Sequence, residues 1–190
     1  MVRSQLLPEV FWIRPLARRQ IASYDDAMHL IDEKFKQSPQ RFFVQALLAF
    51  GAVALIAVYL GVLTDGALVA ALGASAFIVF ATPEHDTAQP RRLLGGHAIC
   101  IALGLLFSLF FRYGVVPKTQ VWIGALGAAA VGVAVLAMTM TDTEHPPAAG
   151  SALGFVVFQH GLSHVLFMAG AVLSLAIVHR VLRRWLRDLT

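Results

Sequence analysis

Two short segments hold side chains able to do chemistry: Thr82-Pro83-Glu84-His85-Asp86 and Asp142-Thr143-Glu144-His145-Pro146-Pro147. Each follows a strongly apolar run, so carboxylates and imidazoles stand at the edge of a hydrophobic body. Ionisable groups there cost several kcal/mol unless paired or hydrated, and they mark functional sites by default. Two chemistries suit them. One is recognition of a small anion by helix N-termini and basic groups. The other is divalent-metal ligation by Glu84, His85, Asp86, Asp142, Glu144 and His145, which needs the two loops to meet, because neither has a strong metal-binding spacing.

The anion reading starts from the prolines. Pro146 and Pro147 lack amide donors and suit the first turn of a helix after His145. The amides of Ala148, Ala149 and Gly150 would then point back at the loop without intrahelical partners. The same geometry is expected at Pro90, where Arg91 and Arg92 add charge and Gly95-Gly96 leaves backbone open. Two such N-termini with Arg91, His97 and His145 would form a cationic cradle. A histidine there could couple movement to protons, with Glu144 as its orienting group, a proton acceptor or a helix cap. The plain alternatives are a hydrogen-bonded structural His97 and arginines that only set orientation in the membrane. His160 and His164 make a weak metal pair. No GxSxG, intramembrane zinc or phosphate-loop motif is present, so an enzyme is not expected.

The elements that must position these residues are membrane helices. The chain is 58% hydrophobic and 14% charged, against about a quarter charged for soluble domains, and its mean hydropathy is +0.71. Apolar runs at 42–63, 93–111, 121–140 and 162–182 can each span a bilayer; those at 67–81 and 148–159 are short for independent spans. If all six cross, both termini and both histidine loops share one side. Of the fifteen basic residues only Arg112 and Lys118 then fall opposite, as the positive-inside tendency requires. The expected fold is an all-α polytopic bundle of about six transmembrane segments, two of them short. Residues 1–41 form a cytoplasmic N-terminal segment with an amphipathic helix over Ser23–Gln37, 42–183 the membrane domain and 184–190 a short basic tail.

Small-residue stripes (Gly96, Cys100, Gly104, Ser108; Gly124, Ala128, Gly132; Ala70, Ala74) suit close helix contact and, with so few helices, suggest a homo-oligomer, a dimer first. The basic residues flank apolar runs without forming an aromatic-interleaved patch, which argues against nucleic acid as a partner. Lone Cys100 excludes an internal disulfide. The flanks of the two loops also align, suggesting a parallel repeat of two hairpins. The N-terminus has neither signal-peptide nor transit-peptide character, so a bacterial inner membrane with both termini cytoplasmic is expected.

Gln89-Pro90-Arg91, Gly95-Gly96-His97 and His145-Pro146-Pro147-Ala148, in that order, resemble the HPP family of small integral membrane proteins. The resemblance runs from about residue 67 to 182 and implies an anion permease, since some family members are implicated in nitrite transport. It implies four spans, fewer than the six segments read above. It singles out Gln89, Pro90, Arg91, Gly95, Gly96, His97, His145, Pro146 and Pro147 as site residues, with no cofactor. Arg92 stands where family members often have Asn. The acidic Glu84-His85-Asp86 stretch departs from the small polar one the family would place there, and acids at an entrance repel an anion.

Overall fold

Prolines and glycines divide the apolar runs into helices. The computed structural model describes residues 33–60, 66–159 and 161–189. These form α1 (Glu33–Gln37), α2 (Pro39–Leu60), α3 (Gly66–Ala81), α4 (Pro90–Arg112), α5 (Gln120–Met140), α6 (Ala148–Phe158) and α7 (Leu162–Leu182), with a 3-10 turn at Asp86–Ala88. Cα packing separates residues 1–37 from 38–190. Of the first unit only α1 is described; the rest of the amphipathic helix expected over Ser23–Gln37 lies outside the described residues. The second unit carries the membrane helices. Its boundaries follow the local chemistry: Pro90 opens α4, Thr119 caps α5 by accepting from the Trp122 amide, and Pro146-Pro147 precede α6.

Helix lengths set what each element can do. The 23, 21 and 21 residues of α4, α5 and α7 extend about 32–35 Å, enough for a hydrocarbon core of about 30 Å. The 16 residues of α3 reach only about 24 Å, and the 11 of α6 about 16 Å. A helix that short leaves its terminal carbonyls at membrane depth, so it must be enclosed by protein. That is where α6 lies, against α3, α4 and α5, with Ala148, Ala152, Phe155 and Val156 fully buried. Gly104 of α4 meets Ala152 and Phe155, while Gly154 of α6 meets Leu68 and Ala67 of α3. By contrast Gly124 and Gly132 on α5 have nothing within 4 Å. The α4 stripe is thus used inside the chain, whereas the α5 stripe faces outward.

One end of the bundle is tied together by polar groups. Gln45 of α2 is buried, and its amide donates to the carbonyls of Phe80, at the end of α3, and Arg187. The Leu189 amide donates to Ala81, Asp188 accepts from the Glu84 amide and Arg187 pairs with Glu84. Leu186 is buried. Residues 184–189, expected as a basic tail, are therefore folded onto the loop after α3. Gln45→Leu would leave two carbonyls without this donor, and is expected to destabilise the protein by about 1–3 kcal/mol; thermal unfolding in detergent measures it.

Candidate functional site

A file of polar side chains crosses the apolar interior where α3, α4, α6 and the α5–α6 loop converge. Ser75, His97, His145 and Ser151 are each at most 1% exposed. Ser75 is the lone hydroxyl of α3, and its Oγ lies 2.9 Å from the Ala71 carbonyl, 2.9 Å from His145 Nε2 and 3.1 Å from His97 Nε2. On the far side of each ring, His97 Nδ1 is 3.0 Å from Ser151 Oγ and His145 Nδ1 is 2.9 Å from the Thr87 carbonyl. The imidazoles are tilted at 49°, with centroids 5.4 Å apart.

The donors follow by elimination. Thr87's carbonyl can only accept, so Nδ1 of His145 carries a hydrogen and Nε2 of the neutral ring is a bare acceptor. Ser75 O–H turns to that nitrogen. Ser75 then accepts from His97 Nε2–H, and His97 Nδ1 accepts from Ser151 O–H. A proton arriving at His145 Nε2 reverses one link: the ring now donates to Ser75, whose hydroxyl rotates to the Ala71 carbonyl within reach. Every polar atom stays partnered in both forms, so the file absorbs one proton by turning one hydroxyl.

Burial holds the His145 imidazole below the ordinary histidine range, although the hydrogen bond to Thr87 favours the charged ring. The folded protein thus binds this proton less readily than the unfolded chain. Stability is expected to be full at neutral pH and to fall as pH drops below about 6.5, the ordinary imidazole value. Unfolding temperatures from pH 8 to pH 5.5 should show this fall, and His145→Asn should lessen it.

The two loops meet, but their histidines differ. His85 is exposed and caps the 3-10 turn through Nδ1, close to Thr87, whereas His145 is enclosed. Glu144 does not orient His145; it pairs with Arg92 at 3.2 Å. Asp142, held at a positive φ of 53°, pairs with Arg92 at 2.6 Å and Arg91 at 3.3 Å. Gln89 donates to Asp86, and Glu84 is taken by Arg187. The six acidic and imidazole groups considered as metal ligands are therefore each engaged by basic, hydroxyl, amide or backbone groups, with Asp142 and Glu144 sharing Arg92, and among the described residues no three His, Cys, Asp or Glu are placed to share an ion.

The expected cradle of open amides is corrected. Gly95 and Gly96 lie inside α4, more than a turn past Pro90. A Cβ on Gly95 would meet Thr143 Cγ2 at 2.7 Å, and one on Gly96 would meet His145 Cβ at 2.8 Å. These glycines admit the α5–α6 loop and seat His145; they do not expose backbone. The amides of Ala148, Ala149 and Gly150 are likewise taken, by the carbonyls of His145, Pro146 and Pro147. The prolines close this tight turn, and Ala148 is buried behind it. Arg91 is largely exposed and also reaches the Thr141 carbonyl, while Arg92, named beside it but not among the expected site residues, is the more enclosed guanidinium. Ser75, Ser151 and Thr87 join the site without having been singled out. For the two serines the one signal was a lone hydroxyl within each of the two short helices.

Comparison with known proteins agrees with this architecture. Two transmembrane proteins of Dictyostelium discoideum are each 31% identical over 86 residues, which is 45% of this chain and 28% and 26% of theirs. The matched stretch thus spans about a quarter of those relatives' length. No solved structure matches. The family described as HPP, transmembrane region, matches residues 34–187. That span takes in α2 to α7 and both histidines of the buried file, and the chain belongs to the HPP family of multi-pass integral membrane proteins.

Proposed function

We propose that this protein is a permease that moves a small inorganic anion, nitrite first, together with a proton, and performs no bond-making chemistry on it. The buried Ser75–His145–His97–Ser151 file carries the reading. An imidazolium alone inside an apolar bundle is costly, and so is a lone anion. Together they form a neutral pair, and the Ser75 hydroxyl, turned from His145 by the proton, is the donor that can leave the Ala71 carbonyl for an oxygen of the anion. Each partner therefore makes entry of the other easier, and that reciprocity is what couples two fluxes. The carboxylates beside the site, Asp142 and Glu144, are already answered by Arg91 and Arg92. An incoming anion exchanges with a carboxylate for those guanidiniums before it reaches His145.

The test is nitrite uptake into proteoliposomes. Saturable flux, faster when the outside is more acid, is expected; no flux from folded, inserted protein overturns the proposal. Nitrite should also protect against acid. Because it pairs with protonated His145, it is expected to raise the unfolding temperature more at pH 6 than at pH 8, and equal shifts would count against the pairing. The reading places the protein in a cell inner membrane as six segments, with both termini cytoplasmic, on the side rich in Lys and Arg. It is taken to work as a homodimer, which cross-linking in intact membranes checks.

A further inference from the structure

At the end of the bundle away from the histidine loops, a cavity of about 680 Å³ opens beside α4. At about 30 Å³ per water it has room for roughly twenty waters, far more than a small inorganic ion fills. Its two ends differ. Ala102, Leu105, Leu106 and Leu109 make an apolar wall along α4, whereas Arg112, Lys118 and Gln159 make a polar mouth. Arg112 and Lys118 are exposed, and neither has an ion pair or hydrogen bond among the described residues. Gln159 ends α6 in the left-handed region, at a φ of 52°, a conformation that non-glycine residues seldom adopt.

The depth of this groove is set by its neighbours. Tyr113, next to Arg112, and Trp122, early in α5, are both exposed; such aromatics settle at the membrane–water interface. Arg112 and Lys118 thus lie at headgroup level. From there to Ala102 the helix rises about 15 Å, the hydrocarbon depth of one leaflet, half of about 30 Å. We propose that this groove holds one anionic phospholipid from the leaflet opposite the histidine loops, its phosphate between Arg112 and Lys118 and an acyl chain along the α4 wall. The site lies apart from the histidine file. On α4, Gly104 against Ala152 and Phe155 closes the interior between them.

Native mass spectrometry and thermal unfolding of the full chain in mild detergent, titrated with phosphatidylglycerol, phosphatidylcholine or inorganic phosphate, test this. Phosphatidylglycerol is expected to stay bound and to raise the unfolding temperature, with phosphatidylcholine of the same chains doing little. Arg112→Ser and Lys118→Ser should each weaken retention about fivefold, and both together about thirtyfold. Ala102→Trp, which keeps both charges and fills the deep end, should also weaken it. Equal binding of the two lipids, undiminished retention in the double variant and in Ala102→Trp, or stabilisation by inorganic phosphate through the same residues would each overturn the proposal.

Discussion

Reconstituted His145→Asn protein is expected to take up nitrite more slowly than the native protein, by up to about a hundredfold, and to lose its response to a pH gradient. The substitution is chosen for what it keeps. An asparagine amide can still donate to the Thr87 carbonyl, as Nδ1 does at 2.9 Å, so the loop keeps its anchor above α3. What it lacks is a nitrogen that can take a proton where Nε2 meets Ser75. Without that proton an anion in the file has no counter-charge. A charge at the bilayer centre costs about 2.5–3.5 kcal/mol on insertion scales, and each 1.4 kcal/mol is tenfold, so about a hundredfold is the upper end of the effect at a file lying nearer the loop side. Ser75→Ala should slow uptake less, because both rings remain and only their link is cut. Arg91→Ala should do less again: its pair with Asp142 is exposed, and such pairs contribute about 0–1 kcal/mol. If His145→Asn transports at the native rate with its pH response intact, proton coupling at this residue is wrong.

Helix identity and the histidines were legible in the sequence; the contacts that join them were not. Long apolar runs, broken by little more than a histidine, announce α4, α5 and α7, because about 20 mostly apolar residues have few other uses. His97 and His145 stand out because imidazoles are scarce in such surroundings. Their link through Ser75 depends on α3 lying beside both, a tertiary fact that a single serine within Gly66–Ala81 does not announce. The glycines show the limit more sharply. Gly95-Gly96 after Pro90 suggested open backbone amides, since small residues and a proline are local signals of a helix start. Which use a glycine serves is decided by what approaches it, and here Thr143 and His145 do. The likeness of the two loops misled in the same way: similar residues in similar order put His85 in solvent and His145 in the interior.

The contact of Gly104 on α4 with α6 yields the second large expected effect. A Cβ on Gly104 would fall 2.7 Å from Phe155 Cβ and 2.8 Å from the Ala152 carbonyl, atoms that cannot swing aside because they belong to or adjoin backbone. Gly104→Ala is therefore expected to destabilise the protein by about 1–3 kcal/mol, the usual range for overpacking. Two other glycines calibrate it. At Gly127 the obstacle is Leu153 Cδ1 at 2.7 Å, the end of a flexible side chain, and at Gly132 nothing lies within 4 Å. Gly127→Ala should cost less than Gly104→Ala, and Gly132→Ala should be neutral or stabilising by up to about 1 kcal/mol, alanine being the better helix former. Thermal unfolding of the three variants in one detergent tests the order, and equal values would mean that α4 and α6 are not in this contact. The same contact separates the histidine file from the opposite face of the membrane. In the permease proposed above this contact has to open, and the short α6, set between Pro146-Pro147 and the left-handed Gln159, is the element whose displacement would open it. Gly104→Ala wedges the two helices apart, so uptake should fall together with stability. In Gly127→Ala, where only a side chain gives way, uptake should persist.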